Sequence, residues 1–246
     1  TARLNSRSMR IALGIEYDGT SYNGWQRQKT GLGVQQRLEE ALSLVANETV
    51  DVICAGRTDT GVHASGQVVH FDTDSERTDR GWLLGANTNL PEDICVTWVK
   101  PVDQDFHARF SALARSYRYL ILNRDVPSAL QRHRVAWDFR PLDADVMAGA
   151  AACLLGEHDF SSFRSVQCQA EHAVREVQSL QVQRRGDHVC IDITANAFLH
   201  HMVRNIAGVL IAIGAGEAEV GWAREVLEHR DRTLGGITAP PDGLYF

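Results

Sequence analysis

The order of strand and helix patterns in the first hundred residues limits the folds that this chain can adopt. Ile11, Leu13 and Ile15 alternate with small residues as in a strand, and residues 34–46 carry apolar side chains at helical spacing. Two short strands, a second helix and a further strand are indicated at residues 50–55, 67–72, 78–88 and 94–99. The resulting β-α-β-β-α-β order is typical of a ferredoxin-like antiparallel sheet with helices on one face.

The second half of the chain repeats this mixture over a longer stretch. A strand at 117–122 and a helix at 142–155 precede a hairpin that turns near Gly186, and residues 198–214 predict a strongly apolar helix. We therefore predict an α+β protein with two ferredoxin-like or RRM-like halves and mixed, mostly antiparallel sheets. The predicted bounds are a disordered tail at 1–8, an N-terminal half at 9–105 and a C-terminal half at 106–246.

Composition argues against several classes of protein. No apolar run among the 246 residues approaches the roughly 18 that a membrane-spanning helix needs, and we expect no signal peptide at the polar start of the sequence. The five cysteines are scattered and never form C-x-x-C, which predicts neither a disulfide scaffold nor a metal site and fits a reducing cytoplasm. His200 and His201 are adjacent in a predicted helix, where neighbouring side chains point apart, so we expect no metal there either.

The net charge of −6 argues at first against a nucleic-acid partner. Its distribution changes that view, because residues 106–140 contain seven arginines and two acids, a local charge of +5. A basic segment on an acidic body can bind phosphate while the body repels non-specific polyanions. An arginine-rich solvated surface is the alternative explanation of the same pattern.

The stretch Cys54–Gln67 places one acidic residue in a tight turn directly after an apolar run. Asp59 stands between Thr58 and Thr60 and is bracketed by glycines, a position from which a side chain can be aimed. One explanation is a structural ion pair with Arg57 that holds the loop. Another is the D-T-G triplet of aspartic proteases, but those enzymes need two such aspartates and the sequence has no second triplet.

Two further segments have residue types that suit RNA contacts. Tyr117 and Tyr119 alternate with Arg118 along a predicted strand, and such interleaving suits base stacking beside phosphate contacts. Tyrosines in the core of a sheet are the alternative. Arg204 lies in the apolar helix, where a guanidinium near the core needs a carboxylate unless it reaches water from the border of the helix.

Together these segments resemble one enzyme family, the tRNA pseudouridine synthases of the TruA type. The resemblance extends over nearly the whole chain, and the string G-R-T-D-x-G-V-H-A is by itself highly specific. Five stretches carry it in the order that the family shows: YDGTSYNGWQRQ, GRTDTGVHASGQV, FHARFSALARSYRY, NAFLHHMVRNIAGVL and APPDGLYF.

The resemblance implies a cofactor-free, homodimeric enzyme with an RNA-binding cleft between its halves. It implies tRNA as the substrate and conversion of uridines 38, 39 and 40 of the anticodon stem-loop to pseudouridine. Asp59 would be the essential carboxylate, and Arg204 would pair with it. Tyr117 would stack on the target base, Leu244 would wall the pocket, and Arg57 would help to extrude the base. The remaining implied RNA contacts are His107, Arg109, Gln167, Cys168 and Gln169.

Two other functions remain open. An RNA-binding module without activity would need only the basic segment and the tyrosines, and it gives no reason for Asp59 in its turn. A dimeric aspartic protease would need Asp59 but neither Tyr117 nor Arg204.

Overall fold

The structure, a computed structural model, describes residues 8–246. The predicted disordered tail at residues 1–8 therefore lies outside the described part of the chain, apart from Ser8. Within that part, no helix combines the length and the apolar character that crossing a membrane requires.

The chain divides into two compact units. One ends at Leu113 and the other comprises Ala114–Tyr245. Phe246 belongs to the first unit, and its backbone N–H donates to the carbonyl of His63 at 3.0 Å. The boundary between the two halves that the sequence predicts, at residue 105, stays a prediction.

The first unit is a four-stranded antiparallel sheet with two α-helices. Its elements are β1 (Met9–Tyr17), α1 (Val34–Ala46), β2 (Ile53–Cys54), β3 (Ala64–Thr73), α2 (Asp79–Asn89) and β4 (Ile94–Val102). The strand order is β2-β3-β1-β4, and every neighbouring pair is antiparallel. Each helix therefore connects two strands that a third strand separates, the split β-α-β arrangement of ferredoxin-like folds. The predicted order of elements is confirmed.

The core of the first unit joins the predicted apolar faces of β1 and α1. Ile11, Leu13 and Ile15 are at most 2 % exposed, and Leu38 and Leu42 of the helix are fully buried in the same cluster. Burial of each such side chain contributes about 1.5–3 kcal/mol. The two periodicities, near two in the strand and 3.6 in the helix, thus bring these residues to one interface.

The second unit is a six-stranded mixed sheet with three α-helices. Its elements are β5 (Arg115–Asn123), β6 (Ala136–Asp138), α3 (Ala144–Ala151), β7 (Gly156–Asp159), β8 (Val174–Arg185), β9 (His188–Ala195), α4 (Met202–Gly214), α5 (Trp222–His229) and β10 (Leu244–Tyr245). Five strands follow the antiparallel order β10-β5-β9-β8-β7, and β6 pairs with β5 in parallel. The predicted hairpin is β8 and β9, and the α+β class with mostly antiparallel sheets is confirmed.

Helix α4 begins four residues later than predicted, at Met202 instead of residue 198. His201 has a left-handed φ of 64°, so the chain turns there and the regular helix starts only afterwards. The rings of His200 and His201 do not point apart as helical neighbours would, because their centroids lie 4.0 Å from each other. The prediction that these side chains diverge is therefore wrong.

Two helical glycines of the second unit should respond oppositely to substitution. A Cβ atom at Gly208 of α4 would lie 1.8 Å from the carbonyl oxygen of Ile237, whereas one at Gly149 of α3 would meet nothing within 4 Å. We expect Gly208→Ala to lower the free energy of unfolding by about 1–3 kcal/mol or more, because backbone must move. Gly149→Ala, the matched control, should raise it by up to about 1 kcal/mol through helix propensity. Urea unfolding measures both, and equal stability of the two variants would contradict this packing.

Candidate functional site

Asp59 lies in the loop that joins β2 to β3. The loop turns directly after this residue, because the N–H of Val62 donates to the carbonyl of Asp59 at 3.1 Å. Gly61 has a φ of 78° in this turn, a left-handed conformation that favours glycine. The turn fixes the backbone of Asp59, and the residue itself is half-buried.

The segment 18–25 supports the loop by direct backbone contact. A Cβ atom at Gly24 would lie 2.6 Å from the carbonyl oxygen of Thr58, and the N–H of Trp25 donates to that same oxygen at 2.9 Å. Gly24 also has a φ of 92°. A larger residue at this position would displace the backbone next to Asp59. The stretch YDGTSYNGWQRQ, which contains Gly24, therefore supports this loop.

The side chain of Thr58 provides a second anchor. Its hydroxyl lies 2.7 Å from the hydroxyl of Tyr17, and both groups are buried. Burial raises the pKa of Tyr17, so that its hydroxyl remains protonated and can donate. The residue immediately before Asp59 is therefore held by a buried hydrogen bond to the first strand of the sheet.

Both ends of the loop are fixed as well. The fully buried Gln67 donates from Nε2 to the carbonyl of Gly56 at 2.6 Å. At the other end, the Nδ1 atom of buried His63 accepts from the N–H of Gly19 at 3.0 Å. A Cβ atom at Gly19 would lie 1.9 Å from the carbonyl oxygen of Val62. The backbone that carries Asp59 is thus fixed before its side chain meets any ligand.

Arg57 does not form the structural ion pair that was one explanation for the motif. Its side chain is exposed, and within residues 8–246 it makes no hydrogen bond or salt bridge. Burial raises the pKa of Cys54 to about 11, and the nearby charges of Arg57 and Arg109 oppose that rise. Arg57 and Arg109, both predicted to bind RNA, therefore lie near the same thiol, that of Cys54.

His107 and Arg109 belong to a compact turn with an exposed aromatic ring. The Nδ1 atom of His107 accepts from the N–H groups of Arg109 and Phe110, at 3.2 and 3.3 Å. The guanidinium carbon of Arg109 lies 5.5 Å from the ring centroid of Phe110, and Phe110 is 74 % exposed. Sequence reasoning missed Phe110, although its place beside Arg109 in FHARF shows the same interleaving as the tyrosine segment.

His70 of β3 contacts the turn formed by residues 107–110. Its Nδ1 atom accepts from the N–H of Ala108 at 3.1 Å, and its ring lies 4.8 Å from that of His107. Burial lowers the pKa of His70 to about 4, with smaller contributions from the charges of Arg10 and His107. The imidazole is therefore neutral near pH 7 and available as an acceptor.

In the second unit, the tyrosines of β5 differ in burial. Tyr119 is fully buried and donates to the carbonyl of Pro240 at 2.8 Å, so the core explanation holds for this residue. Tyr117 is only half-buried, and its ring meets that of Phe198 edge-on with centroids 5.0 Å apart. Leu244 pairs with Tyr119 across β10 and β5 and is 5 % exposed. Phe198 is a further neighbour of Tyr117 that sequence reasoning missed.

Arg204 is bound to the loop that follows α5. Its Nε atom donates to the carbonyl of Ala239 at 2.8 Å, and the N–H of Ala239 donates to the carbonyl of Arg204 at 3.1 Å. The guanidinium is therefore half-buried and oriented by the protein, which differs from an arginine that reaches freely into water. The pairing of Arg204 with Asp59 stays a prediction.

The predicted RNA-binding loop at 167–169 is exposed at Gln167 and Gln169 and half-buried at Cys168. Its backbone is held by a bond from the N–H of Cys168 to the carbonyl of Ser165, at 3.0 Å. The N–H of Ser165 in turn donates to the carbonyl of His200 at 2.8 Å. The loop is thus tied to the turn that precedes α4.

At least three of the seven arginines in the basic segment, residues 106–140, are bound to carboxylates. Three of their four acidic partners lie outside residues 106–140 but in the same unit, so a local charge sum overestimates the charge available for phosphate. The three arginines and their carboxylates are Arg118 with Asp192, Arg140 with Asp138 and Glu217, and Arg124 with Asp187.

Comparison with known proteins places the chain in a family. A sequence model described as tRNA pseudouridine synthase matches residues 14–111 and 150–246. The chain belongs to the tRNA pseudouridine synthase family. The predicted enzyme class, an isomerase, is confirmed, and membership of this family contradicts the aspartic protease alternative.

Three relatives named tRNA pseudouridine synthase A are similar over nearly their whole length. The protein from Hydrogenovibrio crunogenus is 59 % identical, with 96 % of this chain and 90 % of the relative aligned. The one from Pseudoalteromonas atlantica is 58 % identical over 96 % of this chain and 90 % of its own. The one from Nitrosococcus oceani is 59 % identical over 96 % and 92 %.

The neutral state of His70 predicts a pH dependence of stability. The free imidazole has a pKa of about 6.5, so protonation between about pH 6.5 and 4 favours the unfolded chain. This contribution is fully present above pH 6.5 and is lost as the pH falls towards 4. His70→Asn keeps an acceptor near Ala108 but does not titrate, so the stability difference between wild type and variant should shrink across this range.

Urea unfolding at several pH values measures this difference. His172→Asn is the matched control, because His172 is exposed and its substitution should leave the pH profile unchanged. A stability difference for His70→Asn that stays constant from pH 7 to 4 would contradict the neutral imidazole.

Proposed function

We propose that this protein converts uridine to pseudouridine in tRNA, at positions 38, 39 and 40 of the anticodon stem-loop, with Asp59 as the essential carboxylate. The observation that carries the proposal is the fixed loop at Asp59 in a chain of this family. The names of the relatives support tRNA as the substrate. Enzymes that act on a paired base extrude it first, which fits a carboxylate on a rigid and partly exposed turn.

The chemistry requires a carboxylate. The bond from ribose C1′ to uracil N1 breaks, the base rotates, and C1′ bonds to C5. The proton on C5 leaves and N1 gains one, so no atom is gained or lost overall. C1′ becomes electron-poor as uracil leaves, and Asp59 can bond to it or stabilise it. Attack on the uracil ring and removal of a ribose proton are the other routes, and both also use this carboxylate.

Residues of the second unit would bind the reacting nucleotide. Tyr117 stacks on the target base and takes the proton from C5, a role that its half-buried position beside Phe198 permits. Leu244 forms an apolar wall of the pocket. Arg204 binds the substrate with a guanidinium whose orientation Ala239 sets.

The remaining residues would position the RNA. Arg57 helps to extrude the base, while Arg109 and His107 contact the backbone beside the exposed ring of Phe110. Gln167, Cys168 and Gln169 contact the RNA from the second unit. Dimerisation and activity without a cofactor remain predictions that the family resemblance implies. A cytoplasmic location and the absence of a metal remain predictions from the pattern of cysteines and histidines.

Replacement of Asp59 tests the central role. We expect Asp59→Asn to leave folding and tRNA affinity nearly unchanged and to abolish isomerisation, because an amide can act neither as nucleophile nor as base. Mapping of pseudouridine in an unmodified tRNA transcript, with mass spectrometry to exclude deamidation, measures this. Asp74→Asn makes the same charge change at an exposed position of the first unit and should keep wild-type turnover. Residual activity of Asp59→Asn within tenfold of wild type would disprove the role.

The salt dependence of binding tests the basic segment. Each neutralised phosphate contributes a slope of about −0.7 to −0.9 in log K against log salt, so about four of the seven arginines reaching phosphates predict a slope of about −3. Arg109→Ala should flatten the slope by roughly one unit and weaken binding to every tRNA alike. Tyr117→Ala should leave the slope unchanged but stop product formation, because stacking releases no counterions.

Arg118→Ala is the matched control for Arg109→Ala. Its guanidinium makes two hydrogen bonds with Asp192, at 2.6 and 2.9 Å, so its loss should change the slope by less than half a unit. A wild-type slope near zero, or equal slopes for both arginine variants, would show that the segment is only a solvated surface.

A further inference from the structure

A buried amide in the apolar helix α4 needs an explanation. Asn205 is 2 % exposed, follows Arg204 directly, and lies in a helix with ten buried residues among its 13. Its Nδ2 atom donates to the carbonyl of Phe163 at 2.6 Å, and its Oδ1 atom accepts from the hydroxyl of Thr238 at 2.7 Å. A buried polar side chain is tolerated only when it is hydrogen-bonded, and this one links α4 to the loop after α5.

Arg232 completes the network from the other end of the same loop. Its NH2 atom donates to Asn205 Oδ1 at 3.1 Å and to Thr238 Oγ1 at 3.0 Å, and its NH1 atom donates to the carbonyl of Gly236 at 3.0 Å. Within residues 8–246 it has no carboxylate partner. A half-buried guanidinium that bonds only neutral acceptors acts here as a rigid brace across residues 232–238.

The braced residues lead directly to the partner of Arg204. Thr238 precedes Ala239, whose carbonyl accepts from Arg204 Nε at 2.8 Å and whose N–H donates to the Arg204 carbonyl at 3.1 Å. Ala239 is 3 % exposed, and Ile237 lies against Gly208 of the same helix. Loss of the Thr238 hydroxyl would therefore release the carbonyl that sets the plane of the Arg204 guanidinium.

We propose that Thr238, Asn205 and Arg232 are positioning residues, which hold the Ala239 carbonyl so that it orients Arg204 for the isomerisation. This proposal rests on the substrate-binding role of Arg204 in the proposed function. A hydrogen bond at Nε fixes the rotation of the guanidinium, and displacement of a binding group by a fraction of an ångström is enough to reduce turnover.

Thr238→Val tests the proposal because valine matches the shape of threonine and lacks the hydroxyl. We expect single-turnover isomerisation to slow about tenfold, with the Kd for tRNA within twofold of wild type. Thr238→Ser should restore the rate. Thr233→Val is the matched control, because the Thr233 hydroxyl bonds the exposed Asp231 at 2.8 Å on the same loop and should not affect turnover.

A double substitution separates positioning from general stability. In an Arg204→Lys background the side chain lacks Nε–H, so Thr238→Val should slow the reaction by less than a further twofold. A full further tenfold loss would show that Thr238 acts independently of Arg204 and would overturn the proposal, as would a wild-type rate for Thr238→Val. If Thr238→Val does not fold, Arg232→Lys replaces it, because lysine keeps the charge but cannot reach all three acceptors. A wild-type rate for Arg232→Lys, or a full further tenfold loss in the Arg204→Lys background, would then overturn the proposal.

The failure of this proposal differs from failure of the proposed function. If Arg204→Lys alone keeps wild-type turnover, the role of Arg204 itself is wrong. If Arg204→Lys is slow while Thr238→Val is not, only the positioning network is disproved. Single-turnover isomerisation is measured with enzyme in excess over tRNA and with long incubation, so that the rates of slow variants can still be determined.

Discussion

The close approach of two backbones at Gly24 is the constraint on which the candidate site depends. With no Cβ atom at this position, the carbonyl of Thr58 accepts from Trp25 at 2.9 Å, and Thr58 stands directly before Asp59. A carboxylate on a mobile loop would lose conformational entropy each time it met its ligand. The loop at Asp59 is instead fixed at both ends and beside the carboxylate, mostly by backbone groups and buried side chains.

In the second unit, a glycine likewise allows the close backbone approach that positions Arg204. Gly208 admits the carbonyl of Ile237 to the surface of α4, and the next two residues then meet Asn205 and Arg204. In both units a glycine makes room for a backbone segment, and hydrogen bonds from that segment fix a functional side chain or its neighbour. The two glycines are therefore as important for geometry as the charged residues are for chemistry.

Periodicity and turn chemistry were sufficient to predict the fold, because they depend on residues close in sequence. The strand alternation around Leu13, the helical spacing of α1 and the turn at Gly186 all satisfy this condition. The start of α4 was missed because the left-handed conformation of His201 overrides an apolar pattern that continues through it. The ion pair of Arg118 with Asp192 was missed because only the pairing of β5 with β9 brings those residues together. The contact of Tyr117 with Phe198 was missed because Phe198 follows the end of β9 and is remote from Tyr117 in sequence.

The choice of acceptors around Arg204 has an electrostatic consequence. A backbone carbonyl such as that of Ala239 orients Nε without supplying a full negative charge, whereas a carboxylate at the same place would neutralise the guanidinium. The brace at Arg232 follows the same rule, since its acceptors are a carbonyl, an amide and a hydroxyl. Neutral acceptors thus orient the Nε atom of Arg204 and brace Arg232 without themselves neutralising either guanidinium. Such an arrangement favours an anionic ligand, and an RNA substrate supplies one at every phosphate.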